Sequence, residues 1–330
     1  MGLPRVTVFS MGGTISSVDS GGKGVEPTLT GEALVSDVPE IAGVADVSAV
    51  SFRQAASGEI GVEDLAELAA EIEGRIDGGA TGAVVTQGTD TIEETSFVLD
   101  LLVDREAPVV VTGAMRNPTL PGADGPANLH AAIQVAASEV ARGLGTVVVL
   151  NDEIHAARFV RKAHTSNPAT FRSDPVGPLG WISECVPRVV LRPTGRHKVK
   201  RPEDAQDNPV ALYHVALGDD GRLLPEIEEK GYAGLVVEAM GGGHVPSIMA
   251  ETLEDLASKM PVLLASRTGG GEVLRSTYGF IGSETDLLDR DLIYAGPLDG
   301  RKARLLLTLL LQSGATTEEI KETFDAWLES

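Results

Sequence analysis

Short, unbroken apolar runs rich in β-branched residues recur through the first 190 residues, and segments with helical periodicity separate them. Val6–Phe9, Ala83–Thr86 (AVVT), Pro108–Thr112 (PVVVT) and Thr146–Leu150 (TVVVL) are four such runs. A strand with one face in water alternates apolar and polar residues. A strand without alternation is buried on both faces and needs a layer above and below it. The intervening segments supply those layers. Glu63–Ile76 lines up Leu65, Leu68, Ala69, Ile72 and Ile76 along one helical face, and after Asp124 the residues Leu129, Ile133, Ala136 and Val140 recur at helical spacing. Ile92–Val103 is a further helix, for which Thr91 and Glu94 have the spacing of a capping box. Strands alternating with helices in this way predict the α/β class, with a parallel sheet covered on both faces.

The rhythm breaks between Leu191 and Asn208 (LRPTGRHKVKRPEDAQDN), a charged and irregular stretch. It then restarts with Val210–Ala216, Leu235–Glu238, a helix between Pro246 and Lys259, and Val262–Ser266. Two helices follow, Arg301–Gln312 and Thr317–Trp327, the second opened by Thr316 and Glu319 as a capping box. A chain of 330 residues exceeds the usual size of one domain. The expected organisation is a larger N-terminal parallel-sheet α/β domain (1–190), a linker (191–209) and a smaller C-terminal α/β domain (210–330).

Composition narrows the partners. Lys and Arg number 27 against 48 Asp and Glu, a net charge of −21, which would repel phosphate backbones and anionic lipid. Neither nucleic acid nor a membrane is expected as a partner. Cys185 is the only cysteine, so no intrachain disulfide forms, and it is expected to be a small buried hydrophobe. The opening MGLPRVTVFSMGG lacks the apolar stretch of a signal peptide, and cytoplasmic localisation is expected.

In an open α/β sheet, ligands bind beyond the carboxyl ends of the strands. Three polar segments stand at such ends: SMGGTISS (10–17), TQGTDT (86–91) and TGAM (112–115). Gly12-Gly13 permits a tight turn that brings the next hydroxyl into a crevice, but GGT alone reads first as a plain turn with Thr14 capping a helix. No GxxxxGK[ST] motif is present, so nucleotide triphosphate binding is not expected. In TQGTDT, Thr91 is fitted to cap the next helix, and Glu93 and Glu94 suit its dipole. The Thr89 hydroxyl and the Asp90 carboxylate are then surplus to structure, which points to a site.

Together these segments form an ordered set. MGGTIS (11–16), VVTQGTDTIEET (84–95), PVVVTGAMR (108–116) and ADGPANL (123–129) resemble the two threonine signatures and intervening strands of the bacterial-type asparaginase/glutaminase family. The resemblance continues through VRKAHTSNPATFRSDPVGPLGWI (160–182), ASRTGG (265–270), TYGF (277–280) and the KARLLLTLLL helix, in the family's order. It implies hydrolysis of L-asparagine to L-aspartate and ammonia, with some turnover of L-glutamine. Thr14 would attack the side-chain amide carbon and form an acyl-enzyme that water cleaves. Thr89, Asp90 and Lys162 would be the second catalytic group.

The resemblance also implies that Ser57 and Asp90 hold the amino-acid head, Asp90 meeting its ammonium. Backbone groups of Gly88 and Thr89 would face the α-carboxylate or the oxyanion, and the Ala114 carbonyl the leaving amide. No metal or cofactor is required, and His155 and His164 read as loop histidines. A homotetramer built from dimers, or a homodimer, is expected, with His244 and Tyr278 in segments able to reach a neighbouring subunit.

The chain departs from the family pattern in places. Most relatives carry a tyrosine in the loop after GGTI, whereas SSVDSGGKGVEPT (16–28) has none and the first tyrosine is Tyr213. This loop, with Ser17 and Asp19, is expected to close over substrate. Tyr278 is a candidate replacement for the missing phenol, and packing within the C-terminal domain is the alternative. Gly58 follows Ser57 in the substrate-binding segment where relatives often have Gln or Glu. Gln87 replaces a usual His, and His244 replaces a frequent Asn. A glutaminase-asparaginase of broader specificity and a non-catalytic aspartate/asparagine-binding sensor both stay open as alternatives.

Overall fold

The four unbroken apolar runs form neighbouring strands in the computed structural model, which describes residues 2–13, 15, 17–19, 25–27, 30–202 and 207–327. The chain divides into two units, Met1–Lys198 and Val199–Ser330. The strands of the first unit are β1 (Arg5–Gly12), β2 (Ser17–Asp19), β3 (Val25–Pro27), β4 (Asp46–Ala55), β5 (Gly82–Thr86), β6 (Val109–Thr112), β7 (Thr146–Leu150), β8 (Glu153–Ala156), β9 (Arg161–Lys162), β10 (Phe171–Arg172), β11 (Gly180–Ser183) and β12 (Val186–Val189). Its helices are α1 (Gly31–Ser36), α2 (Val62–Asp77), α3 (Ile92–Leu102) and α4 (Gly125–Ala136).

Eight strands make one sheet in the order β12-β11-β8-β7-β6-β5-β1-β4. The run β4-β1-β5-β6-β7 is parallel. Beyond β7 the expectation of a parallel sheet is corrected, because β8, β11 and β12 join antiparallel. The reason lies in two tight hairpins. Asn151-Asp152 and Glu184-Cys185 all adopt positive φ, the backbone of a two-residue hairpin turn that reverses the chain. Neither pair contains the glycine that usually announces such a turn. Cys185 is therefore an exposed turn residue and not a buried hydrophobe.

Side chains alternate across each strand, so successive valines serve opposite layers. Val84, Val110, Val147 and Val149 pack with Leu129, Ile133 and Ala136 of α4. The other face of β5–β7 meets α2 and α3. Each fully buried valine or leucine of these layers contributes roughly 1.5–3 kcal/mol. Val140 is exposed, because α4 ends at Ala136 and a separate turn follows. Among the described residues no helix is long and apolar enough to cross a membrane.

The second unit is a four-stranded parallel sheet of β13 (Val210–His214), β14 (Gly234–Ala239), β15 (Val262–Ser266) and β16 (Ile293–Tyr294), in that order. Its helices are α5 (Leu224–Glu229), α6 (Ala250–Ala257), α7 (Glu284–Asp289), α8 (Gly300–Gln312) and α9 (Thr317–Ala326). The Thr316–Glu319 capping box forms as expected.

Candidate active site

Three strand ends and one turn meet main chain to main chain. β1 carries an irregularity between Ser10 and Gly12, then turns through Gly12 (φ +99°) and Gly13 (φ +87°). A Cβ on Gly13 would lie 2.0 Å from the Gly88 nitrogen, just past the end of β5. One on Gly88 would lie 2.8 Å from Ser57 Oγ, and one on Gly113, past β6, 2.6 Å from the Gln87 carbonyl oxygen. Only glycine permits approaches this close. Thr14 lies outside the described residues, and so do the side chains of Ser17 and Asp19 and most of the 16–28 loop.

Past Gly88 the chain enters a short 3₁₀ turn, Thr89–Thr91. Lys162 of β9 reaches it: Nζ donates to Thr89 Oγ1 at 2.9 Å and to Asp90 Oδ1 at 2.6 Å. The Lys162 side chain is 14% exposed and that of Asp90 81%, so the cation is covered while its carboxylate partner faces solvent. Glu93 fixes the strand that presents the lysine. Its Oε2 accepts from the Lys162 backbone N–H at 2.8 Å, and Glu93 is itself buried.

Thr91 does not cap α3 with its side chain, which corrects the expected capping box. Its hydroxyl instead donates to the Ser57 carbonyl at 3.1 Å. Ser57 opens a 3₁₀ turn after β4 and is buried, whereas among the described residues beyond its chain neighbours no atom lies within 4 Å of a Cβ placed on the adjacent Gly58. Buried Ala114 follows β6 in a loop held by two side chains. The Asp124 carboxylate accepts from the Met115 and Arg116 amides, and Asn128 Nδ2 donates to the Gly113 carbonyl. Thr89, Asp90 and Lys162 are thus brought together, and Ser57, Gly88 and Gly113 pack around the same strand ends.

The two histidines separate. His164 is a loop residue as expected, its Nδ1 accepting from the Ser166 and Asn167 amides. His155 is not: it lies in β8, buried, with Nδ1 3.0 Å from Ser173 Oγ. Its Nε2 is 3.3 Å from Glu153 Oε2, yet out of line for a hydrogen bond. Burial dominates and pushes the imidazole down to about 4.

In the second unit, His244 and Tyr278 are brought together with each other. The His244 ring meets Tyr278 edge-on at 4.9 Å and Phe280 at 5.2 Å. His244 Nε2 is 3.1 Å from Oε2 of the fully buried Glu284, whose Oε1 accepts from the Thr277 and Tyr278 amides. Burial alone would raise this carboxyl, but the amides and His244 outweigh it and hold it below the ordinary range.

Comparison with known proteins decides the family. Residues 5–193 match the family described as "Asparaginase, N-terminal", and residues 209–324 match the "Glutaminase/Asparaginase C-terminal domain". The chain belongs to the asparaginase family. Within it, the chain is 35% identical over 326 residues to L-asparaginase of Bacillus licheniformis, covering 97% of this chain and 98% of the relative. It is 38% identical over 327 residues to a probable L-asparaginase of Deinococcus radiodurans, covering 98% and 97%. A solved structure, a probable cytoplasmic L-asparaginase from Campylobacter jejuni, superposes with a TM-score of 0.86 at 29% identity, over 97% of this chain and 99% of that one.

Several residues of this asparaginase-family site escape a reading of the sequence. Glu93 passes as a first-turn acid suited to a helix dipole. Nothing local shows that it anchors a strand that begins at Arg161. Asp124 and Asn128 sit in ADGPANL, which carries the family resemblance without disclosing that it clamps the loop bearing Ala114.

Proposed function

We propose that this chain hydrolyses L-asparagine to L-aspartate and ammonia through an acyl-enzyme on Thr14. The observation that carries the reading is the Lys162–Thr89–Asp90 group, assembled beside the glycine-lined strand ends. Near-full-length similarity to proteins named L-asparaginase supports the substrate. Thr14 Oγ attacks the side-chain amide carbon and loses its proton. The carbon–nitrogen bond breaks, and ammonia leaves with an added proton. Water then attacks the ester, releasing aspartate and restoring the threonine hydroxyl.

Backbone N–H groups of Gly88 and Thr89 face the oxyanion, and such donors are typically worth ~3 kcal/mol of barrier each. Ser57 and Asp90 hold the amino-acid head, and the Ala114 carbonyl meets the leaving amide. Thr89, bonded to Lys162 Nζ, passes the proton between nucleophile and lysine. The 16–28 loop, with Ser17 and Asp19, closes over the substrate. His244 and Tyr278 contribute from a neighbouring subunit of a homotetramer, and the protein works in the cytoplasm. The solved relative described as cytoplasmic supports that last point.

Ammonia release from L-asparagine and from L-glutamine, compared in the parent chain, Thr14→Ala and Thr89→Val, tests the reading. Loss of turnover in both variants is expected. Undiminished activity in Thr14→Ala would remove the nucleophile. Glutamine as a second substrate is supported by the open space at Gly58, and the kcat/KM ratio of the two amides measures it.

A further inference from the structure

Gln87 is fully buried at the meeting point of the strand ends, and no step above uses it. Its backbone is fixed on both sides: the N–H donates to the Thr112 carbonyl at 3.1 Å, and its carbonyl oxygen abuts Gly113. Its side-chain Nε2 donates to the Gly88 carbonyl at 3.3 Å and to Thr91 Oγ1 at 3.2 Å. Thr91 in turn donates to the Ser57 carbonyl at 3.1 Å. Among the described residues its Oε1 has no hydrogen-bond partner.

We infer that Gln87 is a positioning residue for this site, acting through a one-way hydrogen-bond relay from its amide through Thr91 to Ser57. The direction follows from the ends of the chain. A carbonyl can only accept, so Thr91 must donate to Ser57 and present a lone pair to Gln87. The Gly88 carbonyl likewise demands a donor. Both partners therefore call for the NH₂ end of the amide, which fixes its orientation. The carbonyl end is buried and meets no hydrogen-bond donor among the described residues, so the hydrogen bonds shown for this side chain all run through its NH₂ end. A methionine of similar length would fill the same space without those two donors.

The relay spans the short turn from the end of β5 to the start of α3 and ties it to the turn after β4, 34 residues earlier than Thr91. Its importance for turnover rests on the proposed reading that Ser57 and the Gly88–Asp90 turn hold substrate. An isosteric glutamate inverts the polarity. Its carboxylate offers only acceptors to the Gly88 carbonyl and pulls the Thr91 proton away from Ser57. The charged groups nearest along the chain and at this turn are Asp90, Lys162 and Glu93, and they are common to parent and variants.

Steady-state ammonia release by the full chain tests the relay in Gln87→Met, Gln87→Glu, Thr91→Val and the Gln87→Met/Thr91→Val double variant. Each single change is expected to raise KM roughly tenfold, the worth of one lost hydrogen bond, with kcat nearly unchanged. The double variant should lose no more than either single one, because one relay is broken only once. Gln87→Glu should be worse than Gln87→Met in alkaline buffer and approach it on acidification, as the protonated carboxyl regains a donor.

Unchanged KM in all single variants, or a double variant equal to the product of its singles, would overturn the relay. Thr91→Val carries the same test from the other end if a Gln87 variant fails to fold. Calorimetric affinity for L-aspartate reads the same geometry without turnover, so failure of the hydrolase reading does not decide this one. KM unchanged in Ser57→Ala but raised in the relay variants would remove the head contact at Ser57 and leave the relay standing.

Discussion

Lys162 shows what one residue can and cannot announce about itself. In sequence it is a lysine in a polar stretch, and only family order singles it out. In the fold its ammonium lies against Thr89 and Asp90, residues more than 70 positions away, held there by the buried Glu93. Removing that amine should stop turnover while sparing the fold. Lys162→Met is expected to lower kcat by roughly a thousandfold, the scale of a lost proton-transfer group, with a melting temperature close to the parent's. A kcat within tenfold of the parent would contradict this, by the same scale.

His155 supports a different prediction, about stability. Its ordinary value is 6.5, and burial lowers the folded value to about 4. Between these two the unfolded chain takes up a proton that the folded chain refuses. Stability is therefore intact above pH 6.5 and falls as pH drops toward 4, by up to about 3 kcal/mol. Urea unfolding across that window should show the slope, and His155→Gln should flatten it. Neither the burial nor the slope was legible, since EIHAA contains no more than a short apolar alternation around a histidine.

At the scale of elements, legibility followed locality. β1, β5, β6 and β7 declare themselves because both faces of each are buried and the run of valines is unbroken. β4 hides because it lies at the sheet edge, where its side chains are mostly half-exposed or exposed and the sequence (DVSAVSFRQA) has no unbroken apolar run. The hairpins hide because Asn-Asp and Glu-Cys take positive φ without glycine. The polar strand-end segments were legible as a site, yet the closeness of their backbones was not. Gly13→Ala should be severely damaging, since φ is +87° and the new Cβ would strike the Gly88 nitrogen. Gly58→Ala, with nothing within 4 Å, should be tolerated in stability. Melting temperatures and kcat/KM of the two variants make the comparison. Far from the site, Thr316→Ala removes the hydroxyl half of the α9 capping box, leaves the Thr316 backbone N–H bond to Glu319, and should cost about 1 kcal/mol in denaturant unfolding.

At the scale of the whole molecule, a net charge of −21 means that folding gathers many like charges. Salt screens exposed repulsion over distances near 10 Å. Moderate sodium chloride is therefore expected to raise the melting temperature, and a flat or falling response would show that local ion pairs outweigh the self-repulsion. At the same scale, the parts of the candidate site fall into two groups. The strand ends that meet at Gly13, Gly88 and Gly113 belong to the sheet itself. Lys162 belongs instead to the excursion between β8 and β11, where β9 and β10 form a two-stranded sheet of their own outside the eight-stranded one. One module is inseparable from the architecture, and the other is an appendix to it. A lineage, or an engineer, could shorten that appendix and leave the sheet closed by the direct pairing of β8 with β11. On the proposed mechanism, such a descendant would keep the groups that hold the amino acid and lose the reaction, a ready starting point for a reagent that captures aspartate without consuming anything.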